Sequence, residues 1–298
     1  MLEKFFGRRE HERTPIAQVT FDMARHSLKT KMADGREPIS REGMYEAVKA
    51  GQQSGHYEIV TSQAEQGPLN IEGSPRERTA QSSVFRMLGE HLKDANLDNV
   101  DPEDIVRWLE AGDTLQRKET GLLNFQLGEG KYHQDIHQSV LEGRYFPWLV
   151  EHSDKMAVEE KQDPDKVTPL SIQASNVASF IASTGLSRTK ELLDNNQNNP
   201  EIDFTTSHQG VLESFLYKVI DLKGDKKDVD EFLDKVGAGF AENEGLYLDF
   251  KRYGAADNDW QAVVRYGDKE YVLSPDDINK IIQDGENLKS QLKQQLEG

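Results

Sequence analysis

Two histidines four residues apart, His133 and His137, have the spacing at which one face of a helix presents two ligands to a metal ion. On a helical count of about 100° per residue, both lie on or beside the apolar face, whereas Asp135 and Glu142 lie on the opposite side. The residue after the first histidine is Gln134, which cannot act as a general base. Zinc sites need three or four protein ligands. We therefore predict no metal site here.

The segment that follows the histidine pair, "RYFPWL", places Tyr145, Phe146 and Trp148 around Pro147. Large aromatic side chains on a segment stiffened by proline are typical of the anchors that carry binding energy in protein interfaces. The same side chains could also fill part of the core. We predict that these three aromatic residues form a binding surface.

A third group of residues consists of the Thr/Ser run at 205–207 and the pair Glu242 and Glu244. This pattern resembles the sequence marks of mono-ADP-ribosyltransferases. The resemblance implies NAD as cofactor, a site braced by a strand centred on Ser207, and Glu244 as the catalytic carboxylate, with Glu242 beside it. It also implies an arginine that holds the dinucleotide.

For that arginine, the order along the chain leaves Arg86 and Arg117 as choices. The position of Ser207 separates this hypothesis from the alternative that these residues have only a structural role. Ser207 precedes a strongly amphipathic pattern, where it could cap a helix instead of lying on a strand. Its location therefore decides between the two.

Composition excludes several classes of protein. The chain has 298 residues, no cysteine and a formal charge of −17, so it has no disulfide, thiolate metal site or cysteine nucleophile. The acidic charge opposes nucleic acid and favours a basic protein partner. No apolar run is long enough for a transmembrane helix or a signal peptide. These features predict a cytoplasmic protein.

Proline gives the clearest signals for secondary structure, because five prolines follow a capping residue and precede a helical pattern. With apolar periodicity, they predict helices at 15–32, 40–51, 75–92, 102–111, 169–184, 186–193, from 209 onward, around 229–236 and at 275–296. Strands are predicted at 56–60, 245–253 and 260–273, the last as a hairpin turning at Gly267 and Asp268. Residues 61–74 are predicted to be a loop.

These elements predict a mainly α (α+β) protein, with a helical body, a small antiparallel sheet or hairpin near the C-terminus and a closing C-terminal helix. The charged, aperiodic segment 153–167 is predicted to link a helical region at 1–152 to a second region at 168–298, although one domain remains an alternative.

We predict an acidic protein-binding or regulatory protein without catalytic activity and without a cofactor. The alternative is an ADP-ribosyltransferase-like enzyme that uses NAD.

Overall fold

Strands from both halves of the chain join one sheet in the computed structural model, which describes residues 13–89, 96–197 and 199–297. The strands are β1 (Ala17–Arg25), β2 (Leu69–Gly73), β3 (Leu115–Glu119), β4 (Glu201–Ser207), β5 (Gly245–Arg252), β6 (Trp260–Tyr266) and β7 (Lys269–Leu273). Their order across the sheet is β3-β2-β4-β1-β5-β6-β7. The first four strands are parallel, and β5, β6 and β7 extend the sheet as antiparallel strands.

Helices cover both faces of this sheet. Within the described ranges they are α1 (Arg41–Gln52), α2 (Tyr57–Gln66), α3 (Glu77–Met87), α4 (Pro102–Ala111), α5 (Gly130–Leu141), α6 (Tyr145–Trp148), α7 (Asp154–Glu159), α8 (Leu170–Asp194), α9 (Val211–Lys223), α10 (Lys226–Val236) and α11 (Pro275–Glu297). A 3-10 turn at Gly121–Leu123 follows β3, and a π-helical turn at Leu149–Ser153 joins α6 to α7.

The largest apolar core lies between the sheet and the helices α8 and α9, with α11 packed on α8. Phe21 of β1 meets Phe180 of α8 edge to face, with ring centroids 5.9 Å apart. The opposite face of the sheet is covered by α2, α3 and α4, whose apolar side chains pack on Ile71 and Phe204. The parallel strands β1, β2 and β4 are therefore buried on both faces, as parallel strands usually are, whereas β3 at the edge of the sheet is largely exposed.

The first predicted helix, 15–32, is wrong. Its residues form β1, with Val19, Phe21 and Met23 on the face toward α8. Thr20 and Asp22 point to the other face and are equally buried. The prediction relied on apolar residues three and four positions apart, as in a helix. In β1 the residues facing α8 instead recur at every second position, as in a strand.

Three further strands were also missed or misplaced. Residues 56–60, predicted as a strand, begin helix α2, and the predicted loop 61–74 contains the rest of α2 and the whole of β2. Strand β3 was not predicted, and a strand at Ser207 was implied only by the ADP-ribosyltransferase resemblance; Ser207 ends β4 instead of capping a helix. Strands β2 and β4 contain polar residues that are buried by long-range pairing, and β3 is a short, largely polar edge strand; local patterns report neither feature.

The fold class is corrected accordingly. The protein is an α/β structure with a mixed seven-stranded sheet between two layers of helices, and the predicted C-terminal hairpin is only the antiparallel edge of that sheet. The hairpin turn at Gly267 and Asp268 is confirmed, as is helix α4 at 102–111. In the described part of the chain, no helix is both long and apolar enough to cross a membrane.

Candidate active site

Three polar residues meet where the parallel strands end. His26 follows β1, Ser74 follows β2 and His208 follows β4. The backbone N–H of His26 donates to the carbonyl of Ser207 at 2.9 Å, and that of Ser74 donates to the carbonyl of Thr206 at 3.3 Å. Ligands of α/β proteins bind at this edge of the sheet, because loops from several strands converge there.

His26 is held in one orientation by both of its ring nitrogens. Nδ1 lies 2.8 Å from the carbonyl oxygen of Ser27, and Nε2 accepts a hydrogen bond of 3.1 Å from Nε of Arg78. The carbonyl can only accept, so Nδ1 carries the proton and Nε2 has a lone pair. That lone pair points toward a guanidinium group, which is where an anion would bind.

Ser27, which fixes the imidazole of His26, is itself held from three sides. Its N–H donates to Oγ of Ser82 in α3 at 2.9 Å, and its hydroxyl donates to the carbonyl of Gly43 in α1 at 2.8 Å. Nδ2 of Asn243, just before β5, donates to the same hydroxyl at 2.9 Å. The His26 ring is therefore positioned by elements from distant parts of the chain.

Four cations surround the two histidines: Arg25, Lys29, Arg76 and Arg78. Arg25 donates to the carbonyl of Phe240 and forms an ion pair of 3.0 Å with Glu242. The guanidinium of Arg78, which is largely buried, contacts both His26 and the carboxylate of Glu37. In a chain with a formal charge of −17, this cluster is a local cationic site.

The environment of His26 keeps its imidazole neutral. Burial is the largest cause and lowers the pKa of His26 to about 4, with Arg78, Arg25 and Lys29 lowering it further. The hydrogen bond to Ser27 opposes this shift without cancelling it. At neutral pH, Nε2 is therefore unprotonated, and its lone pair can attack once a bound anion takes over the hydrogen bond from Arg78.

His208 stands beside His26, with ring centroids 5.3 Å apart at 71°. Its Nε2 lies 2.8 Å from Oγ of Ser74, and its ring also meets Phe125 edge to face at 5.2 Å. Burial, followed by the charges of His26 and Arg78, lowers the pKa of His208 far below its usual value. A neutral histidine of this kind can donate one N–H group to a bound oxyanion.

The residues predicted for ADP-ribosyl transfer do not form such a site. Both carboxylate oxygens of Glu244 are already bonded, one to the N–H of Ala241 at 2.9 Å and the other to the hydroxyl of Tyr266 at 3.0 Å. Glu242 pairs with Arg25. Ser207 does lie on a strand, but it is fully buried and donates to the carbonyl of Leu123.

Neither arginine considered for the dinucleotide is available for that purpose. Arg86 is buried in an ion pair with Asp22, and Arg117 pairs with Glu119. The ADP-ribosyltransferase hypothesis is therefore corrected. The prediction of a protein without catalytic activity is corrected as well, because an oriented, neutral imidazole beside several cations has the chemistry of a nucleophilic site.

The aromatic residues predicted to bind a partner lie in or against the core. Tyr145 is 4% exposed and Phe146 is fully buried, with the Phe146 ring edge-on to Phe232. Trp148 packs partly on this core and meets Tyr132 at a centroid distance of 5.5 Å. Tyr145 and Phe146 are therefore core residues, and the prediction that they form part of a binding surface is wrong.

The histidine pair that suggested a metal site lies on α5, where both His133 and His137 are exposed. Over residues 13–89, 96–197 and 199–297, no group of three or more histidine, aspartate or glutamate side chains converges where a metal ion could be held.

His26, Arg78 and His208 were not singled out from the sequence. Each signal was nevertheless present: "ARHS" and "TSHQ" place a histidine directly after a strand-like run, and "SPRER" places two arginines after another. These signals depend on knowing that 17–25, 69–73 and 201–207 are strands. Because those strands were missed, their ends were not compared.

Neither a family model nor a curated protein matches the chain. Among solved structures, the chain is similar to "Mycobacterial hydrolase 2", at 14% identity and a TM-score of 0.46, over 90% of this chain and 97% of that one. It is also similar to a mycobacterial glucosyl-3-phosphoglycerate phosphatase, at 14% identity and a TM-score of 0.42, over 83% and 96%. For phosphoglycerate mutase from Bacillus anthracis, the identity is 13% and the TM-score 0.41, over 91% and 98%.

Proposed function

We propose that this protein is a phosphatase that transfers the phosphoryl group of a phosphate ester to Nε2 of His26 and then to water. One observation carries the proposal: the unprotonated Nε2 of His26 faces Nε of Arg78 at 3.1 Å, at the ends of parallel strands and among four cations. Histidine is an established nucleophile in covalent catalysis, and arginine clamps are suited to a transferring phosphoryl group.

The geometry supports a two-step reaction. Nε2 of His26 attacks phosphorus, the P–N bond forms, the bond to the leaving oxygen breaks, and that oxygen takes up a proton from solvent. Water then attacks the phosphoryl-histidine and returns a proton to solvent, the P–N bond breaks with its electron pair going back to Nε2, and phosphate leaves. Arg25 and Arg78 neutralise the charge on the phosphoryl oxygens, and His208 donates one further hydrogen bond. The hydrogen bond between Nδ1 of His26 and the carbonyl of Ser27 keeps Nε2 in the same orientation during both steps.

The test is hydrolysis of p-nitrophenyl phosphate by the purified protein and by His26→Asn. We expect the variant to lose activity by roughly a thousandfold or more, because the nucleophile is gone. His137→Asn, which changes an exposed histidine on α5, serves as the matched control and should retain full activity.

A second measurement distinguishes covalent catalysis from simple binding. Protein mixed with 32P-labelled substrate and quenched in alkali should carry label, which acid should release, because phosphoramidates are labile in acid. Label that survives acid, or that also appears in His26→Asn, would contradict the proposed mechanism.

We further propose that the protein works in the cytoplasm. Its sequence has no cysteine and therefore needs no oxidising compartment to fold.

A further inference from the structure

A carboxylate of the protein itself occupies part of the cation cluster. Oε2 of Glu37 accepts a hydrogen bond from Nζ of Lys29 at 2.7 Å and another from Nη1 of Arg78 at 2.9 Å. Because Nε of Arg78 also contacts His26, one guanidinium group spans the distance between the nucleophile and this carboxylate. A position that holds a carboxylate between two cations is by its chemistry a site for an anionic group.

Glu37 is not built into the core. It lies near the end of a hairpin loop at 29–39, in which Lys29 pairs with Ile39 and the residues between them are mostly exposed. Its side chain is 35% exposed, and that of Lys29 is 43% exposed. Exposed ion pairs contribute little to stability, since water solvates both partners when they separate. The contact of Glu37 with Lys29 is therefore broken at low cost, whereas Arg78, which is only 12% exposed, needs another anion in place of the carboxylate when Glu37 leaves.

The surrounding charge favours an anion even after Glu37 is counted. Arg76 is exposed and makes no side-chain hydrogen bond or ion pair with any described residue, yet it lies close enough to lower the pKa of His208. Glu37 and Glu242 offset two of the four cations of the cluster. Two positive charges are left over, which a phosphate dianion would balance.

We propose that the position between Lys29 and Arg78 is a second anion subsite, which Glu37 fills in the free protein and which a second anionic group of the substrate fills in the complex. The inference rests on the proposed function, because the first anion position is the phosphoryl site at His26. It assigns the substrate to phosphate esters that carry a further carboxylate or phosphate, in preference to simple monoesters.

Non-hydrolysable phosphonates test this subsite without catalysis. Methylphosphonate carries only the phosphoryl mimic, whereas phosphonoacetate and 3-phosphonopropionate add a carboxylate at two different distances. The dissociation constants are measured by isothermal titration calorimetry for the wild type, Glu37→Gln, Lys29→Met and Asp34→Asn. Asp34→Asn is the matched control, because its carboxylate lies on the same loop but pairs with Arg36.

For Glu37→Gln we expect the better carboxylated probe to bind at least about threefold more tightly than it binds the wild type, since the carboxylate that competes for Lys29 and Arg78 is removed. The ratio of the dissociation constant of methylphosphonate to that of this probe should be larger in Glu37→Gln than in the wild type. In Lys29→Met this ratio should be close to one. Asp34→Asn should match the wild type.

An advantage of the carboxylated probes that is the same in the wild type, Glu37→Gln and Lys29→Met would overturn the second subsite while leaving the proposed function intact. If methylphosphonate binds to none of the four proteins, the phosphoryl site itself is absent, and both proposals fail together.

Discussion

At the scale of single residues, the protonation state of His26 decides whether it can act as a nucleophile. Its pKa is lowered to about 4, chiefly by burial and then by Arg78. We therefore expect the imidazole to stay neutral between about pH 4 and 6.5, a range in which an unperturbed histidine would be increasingly protonated. Nitrogen-15 NMR titration measures this directly, with His26→Gln used to assign the signal. A midpoint near 6.5 for His26 would show that the site is hydrated and open.

Ser82 should affect the proposed reaction without touching the substrate. It accepts the buried N–H of Ser27, whose carbonyl orients His26. Ser82→Ala should leave that N–H unpaired and destabilise the fold by about 1–3 kcal/mol. It should also lower kcat by roughly tenfold with little change in KM, because the nucleophile loses its alignment.

Ser83→Ala is the matched control for this effect. Ser83 is equally buried, and its hydroxyl bonds Thr206 at 3.0 Å, but it has no contact with Ser27. Both variants should lose stability, as measured by denaturant unfolding, but only Ser82→Ala should lose kcat. An equal loss of kcat in both would mean that general loosening of α3 explains the result.

At the scale of elements, the sequence predicted those parts whose signals are local. The proline after Asp101 and the Gly267-Asp268 turn each act within a few residues, and α4 and the β6–β7 hairpin were found from them. Strand β4 depends on partners far away, since its Asp203 lies beside Phe21 on one side and Asn70 on the other. Such a strand carries buried polar residues that no local rule anticipates.

The same distinction explains why the candidate site was missed. His26, Ser74 and His208 are separated by 48 or more positions in sequence and meet only because β1, β2 and β4 are parallel neighbours. Two of those strands were not predicted and the third was taken for a helix. The pair His133 and His137, by contrast, has a conspicuous spacing and no catalytic surroundings.

Contact between α8 and α11 gives a prediction at this scale. A Cβ atom at Gly285 would lie 2.2 Å from Cβ of Ser175 and 2.7 Å from the carbonyl oxygen of Ser171. Helix propensity favours alanine over glycine by about 1 kcal/mol, so it would by itself stabilise the variant. Any loss of stability therefore comes from the close packing at this position. We expect Gly285→Ala to lower stability by about 1–3 kcal/mol. Thermal unfolding checks this, with the exposed Gln283→Ala on the same helix as control.

At the scale of the whole molecule, the charges are divided between an acidic exterior and a cationic site. The formal charge of −17 acts at long range, but salt screens exposed charges beyond about 8 Å at physiological ionic strength. At the site itself, the nearby cations Arg25, Lys29, Arg76 and Arg78 favour the binding of anions. An acidic protein can therefore bind a small anion at such a site, although its net charge opposes nucleic acid and had led us to predict a basic protein partner.

Buried carboxylates set how the stability of the whole protein depends on pH. Asp203 is buried in the sheet near Glu72 and Arg188, and burial, followed by the charge of Glu72, raises its pKa from 3.8 to about 8. A carboxyl group whose pKa is raised by folding contributes stability that is fully present below 3.8 and is lost as the pH rises through the folded value. The buried histidines His26 and His208 act in the opposite direction, but only below about pH 6.5, where the unfolded chain takes up protons.

Between about pH 6.5 and 8.5, the ionisation of Asp203 therefore changes the stability of the protein without an opposing contribution from His26 and His208. We expect the free energy of unfolding of the wild type to fall by about 2 kcal/mol over this range, because the buried carboxyl group of Asp203 has to lose its proton in the folded protein. Asp203→Asn, which cannot ionise, should show a smaller fall. Urea unfolding at both pH values measures the difference, and Glu58→Gln, an exposed change on α2, is the control. If the wild type and Asp203→Asn lose stability equally, Asp203 is already ionised in the folded protein, and Arg188 outweighs its burial.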